Sequence, residues 1–225
     1  MNTKVFALIF CIAFGMTNAA LSGSGTTTRY WDCCKPSCSW SANVQGINPV
    51  RSCAADGVTT IDANTASGCD GGSSYVCNSL QPWAVNDSFA YGFVAGSFSG
   101  GVDTSQCGVC LQFTFTSTSI AGKTMIVQNV NTGSDLGQNH FDIQIPGSGV
   151  GIFTQGCSSQ WGAPSTGWGQ QYGGVSSDSD CNNLPSKLQE GCHFRFGWFG
   201  NADNPSVSFV EVPCPSALTS LTGTA

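Results

Sequence analysis

The stretch Thr27-Thr28-Arg29-Tyr30-Trp31-Asp32-Cys33-Cys34-Lys35-Pro36-Ser37-Cys38-Ser39-Trp40 packs a carboxylate, two aromatic neighbours, a lysine and three cysteines into fourteen residues. Read as extended chain over residues 28–32, its side chains alternate between faces. Thr28, Tyr30 and Asp32 then share one face, and Arg29 and Trp31 the other. An aromatic ring beside a carboxylate suits a sugar: the ring is an apolar platform for a pyranose, and the carboxylate can move a proton or attack. The cysteines that follow would hold that strand end covalently. Tyr30 and Trp40 flank Asp32 and are the candidate sugar-contacting rings, with core packing as their competing role.

A second carboxylate stands out in Phe141-Asp142-Ile143-Gln144-Ile145. If the three apolar side chains face a core, alternation turns Asp142 toward a groove. The alternative is an ordinary solvated aspartate. Asp135 lies in the Gly-flanked segment Thr132-Gly133-Ser134-Asp135-Leu136-Gly137, which can move or simply turn. His140 precedes the strand. The chain has two glutamates, Glu190 and Glu211, so carboxylate chemistry must rest mainly on aspartate.

Residues 1–20 have the pattern of a secretory signal peptide: Lys4, the apolar run Val5 to Met16, then Thr17-Asn18-Ala19-Ala20, with cleavage expected near 19/20. That run is too short to span a bilayer. Residues 21–225 are expected to form one catalytic domain, secreted and monomeric. No Pro/Ser/Thr-rich linker marks a carbohydrate-binding module. Of the 13 cysteines, Cys11 falls in the leader. The other twelve form an even set, which behind a leader implies a disulfide framework. A zinc site is the rival for Cys33-Cys34-x3-Cys38 and Cys107-x2-Cys110, but there are two histidines in all, so no metal is expected. Charged residues are 9% and the net charge is −6, with no basic run. Nucleic acid is therefore a poor partner, and a neutral polymer suits this surface.

Alternation predicts strands at Leu111–Thr116, Lys123–Val130, Phe141–Ile145, Phe194–Trp198 and Val207–Val212. Val85, Phe89 and Phe93 at a spacing of four predict a helix over Pro82–Ala95. A second helix is expected over Leu184–Glu190, with Asn183 as cap and Pro185 in the first turn. The 29 glycines indicate many turns. A mainly β domain with long loops results.

The segment Thr27 to Trp40 resembles the signature of glycoside hydrolase family 45, small secreted endo-β-1,4-glucanases. Asp135-Leu136-Gly137-Gln138-Asn139-His140-Phe141-Asp142-Ile143-Gln144-Ile145-Pro146-Gly147 is similar to that family's second catalytic segment. Trp83 to Asp87, Gly149 to Phe153 and Asn201 to Pro205 resemble further segments, all in the expected order. The resemblance implies a six-stranded double-psi β-barrel with an open groove. It implies an inverting endoglucanase that needs no cofactor and acts on cellulose or a related β-glucan. Asp32 would be the general base, Asp142 the general acid, and Asp135 an assisting loop carboxylate. In such a pair the carboxyl groups sit about 6.5–9.5 Å apart to admit water. Tyr30, Trp40, Lys35 and His140 are the substrate-binding candidates, and Lys35 could also favour the ionised form of Asp32. Sequence alone leaves roughly ten thousand cysteine pairings open; the resemblance implies Cys33–Cys157, Cys34–Cys69, Cys38–Cys107, Cys53–Cys77, Cys110–Cys214 and Cys181–Cys192. Asn86-Asp87-Ser88 is a glycosylation sequon in a segment that lines the cleft in that family. Expansin-like proteins, which bind glucan or loosen walls without hydrolysis, are the main alternative. They share the barrel and a His-Phe-Asp motif but lack the aspartate found here at position 32. A small disulfide-stapled inhibitor would need none of the three aspartates.

Overall fold

Phe141 is fully buried, with ring centroids 5.0 Å from Phe113, 5.0 Å from Phe209 and 5.4 Å from Phe98. A barrel closes around this aromatic cluster in the computed structural model, which describes residues 20–224. The strands are β1 (Ser22–Tyr30), β2 (Ser52–Cys53), β3 (Thr60–Ile61), β4 (Trp83–Asn86), β5 (Phe89–Ser97), β6 (Cys110–Phe115), β7 (Thr124–Asn131), β8 (His140–Gln144) and β9 (Ser206–Val212). The helices are α1 (Gly156–Trp161), α2 (Ser186–Phe196) and α3 (Ser216–Thr222).

Six strands form a ring in the order β1, β8, β5, β7, β6, β9 and back to β1. The β1–β8 and β5–β7 pairs are parallel and the other four antiparallel. Strand β4 adds to β5 outside the ring, and β2–β3 is a separate small pair. This is a six-stranded double-psi β-barrel, mainly β, with long disulfide-linked loops and a few short helices. The alternation expected on β6 is present: Leu111, Phe113 and Phe115 are buried, while Gln112 and Thr114 are not. Closure leaves the ring without a free edge.

Two sequence expectations are corrected. Pro82–Ala95 is a hairpin, not a helix. Asn86 Oδ1 accepts N–H groups from Ser88 and Phe89 and closes the turn. Val85, which completed the helical stripe, is exposed. Strand β5 instead pairs along both sides, and these ladders outweigh a chance spacing of four. Phe194–Trp198 is the end of α2 and its following turn, not a strand. Its true period is the helical one: Leu188, Cys192 and Arg195 face inward, and Phe194 stacks on Trp198 four residues later at 5.3 Å. The helix expected over Leu184–Glu190 is therefore longer and begins at Ser186, with Pro185 just before it.

Six disulfides form: Cys33–Cys157, Cys34–Cys69, Cys38–Cys107, Cys53–Cys77, Cys110–Cys214 and Cys181–Cys192. They are the pairs that the family resemblance implies. The expected signal peptide lies outside the described residues, apart from Ala20. Among the described residues no helix is long and apolar enough to cross a membrane.

Where β1 ends, the chain turns sharply. Cys33 has φ 64°, a left-handed conformation costly for a residue with a Cβ. Disulfides from Cys33 to Cys157 and from Cys34 to Cys69 clamp the turn from two sides. Gly156, at the start of α1, lets that helix approach. A Cβ there would press on the Asp32 carbonyl oxygen and on Cys69 Sγ, two atoms that cannot swing aside. Gly156→Ala is expected to lower stability by about 1–3 kcal/mol in urea denaturation. Gly137→Ala, where a Cβ meets nothing within 4 Å, should leave the midpoint almost unchanged.

Candidate active site

Strand β1 carries Thr28, Tyr30 and, just past its end, Asp32 on one face. Strand β8 lies parallel to it in a register that sets Thr28 opposite Asp142. On the other side of β8, Asp142 pairs with Ala95 of β5, whose small side chain leaves room above the carboxylate. Because Phe141 and Ile143 are both buried, Asp142 must point outward, as alternation requires.

Two adjoining spaces meet here. An open cleft of about 330 Å³ is lined by Thr28, Tyr30, Asp135, His140, Asp142 and Tyr172, among others. A small cavity of about 40 Å³ is lined by Tyr30, Asp32, Asp135, Asp142, Ile152 and Phe153, with neighbours. The fold thus brings together Asp32, Asp135, Asp142 and Tyr30, and sets His140 beside them.

The two inner carboxyls have different environments. Burial pushes Asp32 up to about 6, opposed by the Cys34 backbone N–H that its Oδ1 accepts at 2.9 Å, while the Asp135 charge raises it further. Burial pushes Asp142 higher, to about 7. The Thr28 hydroxyl lowers it, the Asp135 and Asp32 charges raise it, and Arg29 lowers it. Asp142 thus holds its proton to higher pH than Asp32. Asp135 is exposed on the 132–139 loop. Leu136 anchors that loop by packing on Tyr30 and Ala95, so the Asp135 charge stays near both partners.

His140 reaches Asp142 through one intermediary. Its Nδ1 faces the Gly137 N–H at 3.4 Å, and its Nε2 is 2.9 Å from Thr28 Oγ1. Burial lowers the imidazole pKa, which favours the neutral ring with Nδ1 accepting and Nε2–H donating. The Thr28 hydroxyl is then free to donate to Asp142.

Lys35 and Trp40 line neither space. Lys35 is buried, with Nζ donating to the carbonyls of Ala63 (2.7 Å) and Thr65 (3.0 Å) and lying 3.3 Å from the Trp40 ring centroid. Its donors are spent on the 62–66 loop and on that ring. The Cys34 N–H does for Asp32 what was expected of Lys35. Tyr30 is 8% exposed, so it presents little ring face to a sugar. The exposed rings are Tyr172 (67%) and Phe153 (44%), with Ile152 (46%) between Phe153 and the cavity's Gly151. Tyr172 belongs to no motif in the sequence, and Phe153 only to the Gly149 to Phe153 segment; nothing in their own spacing distinguishes them. The nearby Trp161 and Trp168 pack on the core instead. Asn86 sits on the β4–β5 turn, in a depression shared with Lys123 and Trp198 and not with the cleft.

Two carboxylates with separated titrations beside an open cleft are the equipment of a glycoside hydrolase. The chain belongs to that class: residues 24–225 match the model of glycosyl hydrolase family 45, and the protein is a member of this family. It is 60% identical over 216 residues to an endoglucanase of Cryptopygus antarcticus, covering 96% of this chain and 95% of the relative. It is 50% identical over 210 residues to an endoglucanase of Phaedon cochleariae, covering 92% and 86%. The crystal structure of the cellulase from the Antarctic springtail Cryptopygus antarcticus superimposes with a TM-score of 0.87 at 60% identity, covering 91% of this chain and 98% of that one.

The raised carboxyls have a stability consequence. Asp142 moves from 3.8 to about 7, so between those values the folded state binds more protons than the unfolded state. Stability therefore falls as pH rises through that window. About three units at 1.36 kcal/mol each bound the effect at on the order of 4 kcal/mol. Asp142→Asn has no charge to desolvate. In calorimetry it should melt above the wild type at pH 8, with the gap closing toward pH 4.

Proposed function

We propose that the protein is a secreted endo-β-1,4-glucanase that hydrolyses internal bonds of cellulose or a related β-glucan with inversion. The observation that carries this reading is the pair Asp32, buried, and Asp142, half-buried at the cleft, with pKa values raised to about 6 and about 7. The names of the two relatives supply the polymer and the internal cut.

The chemistry follows from the environments. Asp142, protonated, gives its proton to the glycosidic oxygen as the bond from C1 breaks. Asp32, ionised, takes a proton from water as that oxygen bonds to C1 from the opposite face. Asp135, exposed on its loop, helps hold the proton on Asp142. Neutral His140, through Thr28, orients the acid. Tyr172 and Phe153 offer exposed rings on which pyranose faces can lie. The reaction so written uses water and protons alone. A non-catalytic glucan binder would not need Asp32 buried in a clamped turn, so the expansin-like reading is the weaker one.

Anomeric proton NMR in the first minutes of hydrolysis tests the mechanism, with the α-anomer expected first from a β-glucan. Initial β-product would mean a covalent intermediate and would overturn both roles. Asp32→Asn should cut kcat by at least ~10²–10⁴. The pH profile provides a further check. Activity needs Asp32 ionised and Asp142 protonated, so kcat/KM should follow a bell with its maximum between about pH 6 and 7. Asp142→Asn should lose activity across the whole range.

A further inference from the structure

The phenol oxygen of Tyr30 accepts two hydrogen bonds, from Asn131 Nδ2 and Gln144 Nε2, both at 2.9 Å. The orientation of Asn131 is fixed independently, because its Oδ1 accepts the Ser37 N–H at 2.8 Å. A phenol has one proton and a small capacity to accept. With two N–H donors on the oxygen, that capacity is used and only the proton is left to place. With the Gln144 amide turned so that Nε2 donates, no protein acceptor among the described residues is paired with that proton; Gln144 Oε1, the other end of the same amide, is itself buried and without a partner. The group is buried, so leaving the proton unpaired is unfavourable.

The adjoining space accounts for it. The cavity of about 40 Å³ is lined by Tyr30, Asp32 and Asp142 together. A water needs about 10–15 Å³ and two to four polar partners. The Asp32 carboxylate lines it; its Oδ1 accepts the Cys34 N–H, and Oδ2 has no partner from another residue. On β1 the side chain of Tyr30 lies between those of Thr28, opposite Asp142, and Asp32, with about 6–7 Å of strand on each side. Tyr30 therefore stands where a water between base and sugar must pass.

We propose that Tyr30 positions the attacking water through its phenol proton, in addition to walling the site with its ring. The water accepts that proton as a hydrogen bond and donates one of its own to Asp32. One lone pair is left aimed at the anomeric carbon. When the water oxygen bonds to C1 and the C1–O bond breaks, the water's proton passes to Asp32 and that of Asp142 to the leaving oxygen. Tyr30 keeps its proton throughout. The two amide donors act by preventing the phenol from turning its proton elsewhere. This role rests on the inverting reading above.

Tyr30→Phe separates the possibilities. On a cello-oligosaccharide, kcat should fall about 10²-fold, the scale of misplaced reactants, with KM held within twofold. The same loss should persist on a 2,4-dinitrophenyl β-cello-oligosaccharide. Its leaving group needs no acid, but its bond still needs water. Asp142→Asn should recover on that substrate. Unchanged kcat, a change in KM alone, or a loss that disappears with the activated leaving group would each overturn the water-positioning role. Failure of the underlying reading shows separately, as initial β-product from the wild type or as full activity in Asp32→Asn. Because phenylalanine leaves two amide donors unpaired, neutron diffraction of the wild-type protein provides a check without a variant. A deuteron on Tyr30 Oη aimed at a water that also contacts Asp32 supports the proposal; one aimed at Gln144 Oε1 overturns it.

Discussion

The register between β1 and β8 is the constraint on which the rest of the site depends. It pairs Thr27 with Phe141 and Thr28 with Asp142. Side chains on a strand alternate, so a slip of one residue would drive Asp142 into the barrel and lift Phe141 into the cleft. The aromatic cluster prevents this. Phe141 meets Phe113, Phe209 and Phe98, contacts that would be lost if the ring were turned to the cleft. The position of the acid is thus set by the hydrophobic residue beside it. Because Asp32 follows two residues after the end of the strand that carries Thr28, fixing the register for the acid also fixes the line along which the base is found.

Burial is the dominant electrostatic effect on both carboxyls, and the smaller effects order them. Asp32 accepts a backbone N–H within its own turn, a donor held by the left-handed Cys33. Asp142 has a hydroxyl instead, and receives the repulsion of both Asp32 and Asp135. The result is a separation in the direction a base and an acid require. No buried lysine interferes, because Lys35 is turned away onto the Ala63 and Thr65 carbonyls.

The sequence showed most clearly what depends on local periodicity. Leu111, Phe113 and Phe115 on β6, and Phe141 and Ile143 on β8, alternate as strands must, and both carboxylates could be placed on faces from that alone. It misled where two periods fit the same residues. Val85, Phe89 and Phe93 satisfy a helical spacing, but Asn86-Asp87-Ser88 is a turn, and only tertiary pairing on both sides of β5 decides between them. Phe194, Phe196 and Trp198 satisfy a strand, yet Leu188, Cys192 and Arg195 continue a helix that the shorter reading cut off. Within the site, Asp32 and Asp142 were legible because their neighbours are so regular. The exposure of Tyr172 and the diversion of Lys35 were not. Each depends on loops whose paths are set by contacts far away in sequence, as with Arg195, whose guanidinium holds the Gly173 carbonyl next to Tyr172.

A site of this kind works against the fold that holds it. Two carboxyls are partly desolvated, and Cys33 is held in a conformation that costs about 1–3 kcal/mol. The desolvation of Asp142 alone is on the order of 4 kcal/mol at alkaline pH. The disulfide framework is large enough to offset this. Cys33–Cys157 spans 124 residues and Cys110–Cys214 spans 104. In the chain-entropy account, closing loops of about 100 residues stabilises by roughly 4–5 kcal/mol each. The placement of the bridges matters as much as their number. Cys33 and Cys34 follow directly on the base, so the two crosslinks act where the turn is strained and where a loose end would let Asp32 reach solvent and lose its raised pKa. On β8 there is no such bridge, and there the aromatic core does the same work for Asp142. The two halves of the catalytic pair are therefore held by different physics, covalent on one side and hydrophobic on the other, and they meet through a single parallel register.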